Sequence, residues 1–205
     1  MQRDKDIKAA VGTKQSPLIS WMVSLLLALT PLHASAKDFY VVDSVAFYQV
    51  TEEQQTPFWC WAASIAMAIK AQGVDWNQFD VVNATKGSLE AATADAGQMT
   101  SFLNSWHFSA DGSYWTVQSD HYKSMPPISK ILKSLDEGRP VIFTFKTGDN
   151  MEHAVVLYGA LMNWNTSPPK LTFINYFDPI SGKRGMLATK FRDSVTNAWL
   201  INVSK

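Results

Sequence analysis

The apolar positions of this chain fall into three patterns. From Leu18 to Leu29 they form an almost unbroken run, LISWMVSLLLAL, which Pro31 stops. Between Pro57 and Gly138 they recur mostly at helical spacing, and from Pro140 onward they come in short β-branched and aromatic blocks. The segment Phe39 to Val50, FYVVDSVAFYQV, is of this last kind and predicts one or two strands at the start of the domain.

Pro57 suits a first helical turn, and the segment WCWAASIAMAIKAQG that follows ends at Gly73. Its Ala, Ile and Met residues fall on every side of the helix rather than on one stripe, so a central helix buried on most sides is expected. A second helix is predicted over about Ala96 to Trp106, where Met99, Phe102, Leu103 and Trp106 share a face. A third starts at Pro127, with Ile128, Ile131, Leu132 and Leu135 as its apolar face and Gly138 where a C-cap belongs. The strand blocks are Val141 to Phe145, Ala154 to Leu161, Leu171 to Phe177 and Ala198 to Val203. Gly148-Asp149-Asn150, Ser167-Pro168-Pro169 and Ser181-Gly182 supply turns between them. Helices first and an antiparallel sheet after predict an α+β fold, and without a repeat or linker one domain is expected.

Composition changes this picture at the N-terminus. Arg3, Lys5, Lys8 and Lys14 outweigh Asp4 and Asp6 ahead of the apolar run, and Ala34-Ser35-Ala36 follows at a cleavage spacing. Residues 1–36 therefore read as a signal peptide and 37–205 as the domain, with a secreted or periplasmic product. The run is shorter than the roughly 20 residues that cross a bilayer, so no membrane association is expected after cleavage. The 169 residues left carry 14 basic and 16 acidic side chains with no Lys/Arg cluster, which argues against nucleic acid as a partner.

Cys60 is the only cysteine, so it has no disulfide partner within the chain. Read alone it is a small buried hydrophobe. It lies near the N-terminus of the central helix, however, where the helix dipole favours a thiolate. A nucleophilic cysteine needs a base, and after residue 36 the histidines are His107, His121 and His153. His153 stands directly before the strand AVVLYG, which would hold its ring at a cleft edge. His107 and His121 fall in a polar, turn-rich stretch and are expected to be solvated. Asp178, at the end of LTFINYF, is the candidate to orient the imidazole, with Asn175 as its rival. Gln54, six residues before Cys60, is the candidate oxyanion donor together with the Cys60 N–H, with Gln55 as the alternative. Trp59, Trp61 and parts of Trp106 to Tyr122 are expected to wall the cleft.

Gln54, TPFW, Cys60-Trp61-Ala62-Ala63-Ser64, His153-Ala154-Val155-Val156 and Asp178-Pro179 together resemble the papain-like cysteine peptidase clan. The blocks WCWAAS, GRPVIF, HAVVLYG and FDP are most similar to the bacterial branch that includes effector proteases of plant pathogens and bacteriocin-processing peptidases. The resemblance spans about Gln54 to Lys183. It implies a papain-like fold, with a central helix carrying the Cys packed on an antiparallel sheet carrying the His and Asp. It favours Gln54 over Gln55 and Asp178 over Asn175. It also implies a cysteine-type peptidase that hydrolyses a protein or peptide substrate through an acyl-enzyme, and no cofactor or metal. A monomer is expected. The alternatives are the same triad used as an amidase, deamidase or transglutaminase on protein or peptidoglycan, and a binding module without catalysis.

Overall fold

The computed structural model describes residues 38–109, 112–147 and 151–205; the expected signal peptide and the Gly148-Asp149-Asn150 turn lie outside them. The chain opens with strand β1 (Phe39–Val41), but the rest of the predicted strand block is helix α1 (Ser44–Gln49). The carboxylate of Asp43 accepts from the N–H groups of Val45 and Ala46, and this cap overrides the β propensity of the residues behind it. Phe47 is thereby turned into the core.

Helix α2 (Cys60–Lys70) begins with Cys60 as its first residue. Every side chain from Cys60 to Ile69 is buried, as its all-round apolar composition predicts. Helices α3 (Gln78–Lys86) and α4 (Ala96–Phe102) cover its outer side, each opened by a reciprocal capping box, Asn77 with Asp80 and Asp95 with Gln98. The helix predicted as far as Trp106 ends at Phe102. Trp106 belongs instead to strand β2 (Trp106–Phe108), which pairs with β3 (Tyr114–Tyr122). Its helical spacing was incidental, because its side chain is 64% exposed and buries little on any helix face. Helix α5 (Ile128–Asp136) follows Pro127 and stops one residue short of Gly138, whose φ of 74° is the left-handed conformation that ends helices.

Strands β4 (Val141–Lys146), β5 (Glu152–Asn163), β6 (Lys170–Asp178) and β7 (Gly182–Leu187) follow, then helix α6 (Ala188–Ser194) and strand β8 (Val195–Ser204). They form one antiparallel sheet in the order β2-β3-β8-β4-β5-β6-β7, with β1 paired to β5 beyond the end of β4. Alternation along the strands separates two cores. Ile142, Ala154, Trp199 and Ile201 face α2, whereas Val141, Phe143, Val155 and Ala198 face Phe47 of α1, Ile131 and Leu135 of α5 and Phe191 of α6. Each fully buried large side chain on these faces contributes about 1.5–3 kcal/mol. The central helix on an antiparallel sheet is the α+β arrangement expected. Because β5 and β6 run in opposite directions, the first residues of β5 and the last residue of β6 meet at one end of the sheet.

Candidate active site

That sheet end holds His153, the second residue of β5, and Asp178, the last residue of β6. The His153 Nε2–H donates to Asp178 Oδ1 at 2.8 Å. Cys60 also lies within hydrogen-bonding reach of the imidazole. The Phe145 ring stands edge-on to the imidazole at 5.5 Å and limits its rotation. Folding thus brings Cys60, His153 and Asp178 together on the wall of one cleft of about 970 Å³.

The Asp178 carboxylate is itself locked. Its Oδ1 also accepts from the Ile180 N–H at 2.8 Å, and its Oδ2 accepts from the Ser181 hydroxyl at 2.6 Å. One carboxylate therefore both holds the turn after β6 and orients the imidazole. Asn175 lies an odd number of positions away on the same strand, so it faces the other side of the sheet, where its side chain fits against Gly159 and Gly185.

Burial alone would lower the pKa of His153, but the hydrogen bonds to Asp178 and Cys60, with their charges, outweigh it and raise the value to about 9. Burial would likewise raise the pKa of Asp178. The hydrogen bonds from His153, Ser181 and the Ile180 N–H, with the imidazolium charge, instead hold it at about 2. The pair is an imidazolium next to a carboxylate over a wide pH range.

Gln54 is half-buried on the loop that leads into α2, whereas Gln55 is exposed. Gln54 Nε2 donates to Thr56 O at 2.7 Å, and the same oxygen accepts the Trp59 N–H at 3.2 Å, so the amide folds toward the start of α2. The Gln54 N–H donates to Pro179 O at 3.0 Å, tying this loop to the Asp178 turn. Gln54 is not among the residues lining the cleft, although Cys60, His153 and Asp178 are. A residue missed from sequence, Gln78 at the start of α3, clamps the loop. Only 1% exposed, its Nε2 donates to Glu53 O at 2.8 Å and Glu52 Oε2 at 3.1 Å, and its Oε1 accepts the Gln55 N–H at 2.9 Å. A glutamine in a polar stretch carries no periodic signal, so nothing local points to it.

The cleft walls correct one expectation. Trp59 and Trp61 are buried behind the wall, and their indole N–H groups donate to Glu90 O at 2.8 Å and Ala92 O at 3.2 Å. They pin the segment Ala91 to Ala96, which forms one side of the cleft with Phe58, while Met151, Glu152, Ile180 and Asn197 also line it. None of the described residues from Trp106 to Tyr122 lines it. The histidines of that stretch are half-buried rather than free in solvent, because both lie on strands, His107 on β2 and His121 on β3. His107 packs among Trp76, Phe102 and Trp115, with ring centroids at 5.3, 4.3 and 4.6 Å, and burial lowers its pKa against a backbone hydrogen bond to Phe102 O. His121 lies flat on Trp199 and bonds Asn197 Oδ1 at 2.9 Å.

A buried helix presenting a cysteine to a histidine and an aspartate on an antiparallel sheet is the arrangement of a papain-like cysteine peptidase. The Peptidase_C39 like family matches residues 41–202, and the chain belongs to that family and is a cysteine-type peptidase. Among solved structures the chain is similar to a double glycine motif protease from an AMS/PCAT transporter, crystallised in complex with the leader peptide. Identity is 18% and the TM-score 0.47, over 73% of this chain and 87% of that one. None of the curated proteins matches it.

Proposed function

We propose that the chain is an exported peptidase that hydrolyses peptide bonds through a Cys60–His153–Asp178 triad, with Gln54 and the Cys60 N–H as oxyanion donors. The observation that carries this reading is the imidazole bonded to Asp178 at 2.8 Å and within hydrogen-bonding reach of Cys60, at the wall of an open cleft. Cys60 attacks the substrate carbonyl carbon as the thiolate, paired with the His153 imidazolium, and forms a C–S bond as the carbonyl π electrons move to oxygen. Negative charge then gathers on the carbonyl oxygen. The Cys60 N–H, at the first position of α2, has no partner within its helix and is available to that oxygen. When the C–N bond breaks, the amine leaves with the proton of His153, which a pKa of about 9 keeps in place at neutral pH. Water, deprotonated by the now neutral imidazole, cleaves the thioester and restores the enzyme.

Export rests on the layout of residues 1–36, with their basic start, apolar run and small residues before Lys37. N-terminal sequencing of the protein recovered outside the cytoplasm should read from Lys37. The triad is tested on a broad peptide library, where Cys60→Ala should lower turnover by at least about 10³-fold with an unchanged circular dichroism spectrum. A thiol-directed electrophile should label Cys60 rapidly at neutral pH. An alanine variant as active as wild type refutes the assignment.

A further inference from the structure

One carboxylate on the cleft wall has no part in this chemistry. Glu152 directly precedes His153 on β5 and lines the same cleft. Among the described residues its carboxylate is held by neutral donors. Asn197 Nδ2 reaches Oε1 at 3.2 Å and Oε2 at 3.1 Å, and the Thr144 hydroxyl reaches Oε2 at 3.3 Å. Those donors are fixed in turn. Asn197 is 8% exposed, and its Oδ1 accepts from His121 Nε2 at 2.9 Å, whose ring lies 6° from parallel to that of Trp199. Thr144 is 3% exposed and bonds Thr196 at 2.9 Å. A buried polar scaffold therefore orients the Glu152 carboxylate without neutralising it.

The other carboxylates of the cleft are committed elsewhere. Asp95 caps α4 by accepting the Gln98 N–H at 2.8 Å, and Asp178 holds His153. Among the described residues no Lys or Arg lines the cleft, and Phe58, Met151 and Ile180 make much of the remaining wall apolar. A cation entering here meets an oriented anion, because the His153 imidazolium is paired with Asp178 and Lys146, opposite Glu152 on β4, is not among the residues that line the cleft. Because the scaffold has already ordered Glu152, pairing costs it little conformational freedom.

We propose that Glu152 is a specificity-determining residue that selects peptides carrying a Lys or Arg side chain close to the scissile bond. This deepens the peptidase reading, on which it rests, by naming the substrate class. The test uses N-acetylated, C-amidated peptides, so that one side chain is the sole cation, with Lys, Gln or Glu scanned through the positions flanking the cleaved bond. At one position the wild type should prefer Lys to Gln by about tenfold in kcat/KM, a preference that shrinks with added salt. In Glu152→Gln the Lys-to-Gln ratio should fall toward one, and in Glu152→Lys the Glu peptide should become the better substrate. A second measurement is independent of turnover: calorimetric affinity of the Cys60→Ala variant for the Lys and Gln peptides, with and without Glu152→Gln. A Lys-to-Gln ratio unchanged by Glu152→Gln overturns the proposal, as does equal affinity of Cys60→Ala for the two peptides. Turnover that survives Cys60→Ala overturns the peptidase reading instead, and leaves the affinity comparison to decide the role of Glu152.

Discussion

His107, half-buried, and His153, buried, both pack beside aromatic rings, and burial pushes the pKa of each downward. At His107 the opposing contact is a backbone carbonyl, and the pKa stays lowered. At His153 the hydrogen bonds and charges of Asp178 and Cys60 oppose burial, and the pKa rises to about 9. His121 extends the comparison, since its Nε2 meets an Asx oxygen at 2.9 Å much as that of His153 does at 2.8 Å, yet Asn197 is a neutral amide. Imidazole geometry is thus similar at two places on one sheet, and what sets His153 apart is the charge of its partner and the helix end that brings Cys60 within its reach.

The comparison breaks first at the imidazoles themselves. His153→Ala should lower kcat/KM by at least about 10³-fold, whereas His107→Ala should leave it within about threefold, both read from steady-state kinetics on one peptide. Next comes the charge of the partner. Asp178→Asn keeps the shape and removes the anion, and should lower kcat/KM on the order of 10²- to 10⁴-fold. In wild type the alkaline limb of the pH–kcat/KM profile should lie near the His153 value of about 9. In the variant, with burial no longer opposed by a carboxylate, that limb should move to lower pH. A limb that stays in place excludes His153 as the group that titrates.

The same pair predicts a pH signature in stability. The raised pKa of His153 stabilises the fold fully below its ordinary value of 6.5, and this is lost as pH rises through about 9. The lowered pKa of Asp178 stabilises above its ordinary value of 3.8, and this is lost as pH falls through about 2. The Tm difference between wild type and Asp178→Asn should therefore be largest between pH 3.8 and 6.5 and shrink toward pH 9.

Smaller effects sharpen the surroundings. Gln78→Ala leaves Glu53 O and the Gln55 N–H without their partner, so the denaturation midpoint should fall by the equivalent of about 1–3 kcal/mol. If the loop it clamps carries the oxyanion donor, kcat should fall more than KM changes. His107→Ala should show the smallest effect, a few degrees in Tm from lost ring packing, measured by calorimetry.

Much of the fold was legible because it is written in short-range patterns. The all-round apolar composition after Trp59 marks a buried helix, and the β-branched blocks after Pro140 mark strands. Where local rules compete, they misled. Asp43 turned a strand-like segment into α1, and Trp106 matched a helical face by spacing alone. β3 was hidden because only Trp115 and Val117 of its nine residues are buried, so its alternation is weak.

The sequence by itself determined the residue types and local frames of the candidate site: a cysteine at a helix start, a histidine at a strand start and an aspartate in a strand-end turn. Each depends on neighbours a few residues away, and such patterns survive in one dimension. Only the tertiary structure decided that β6 lies beside β5, that Asp178 rather than Asn175 reaches His153, and that Ala91 to Ala96 and Asn197 meet at the cleft. Those meetings join segments far apart in the chain, and they are set by strand pairing and packing that no local window contains.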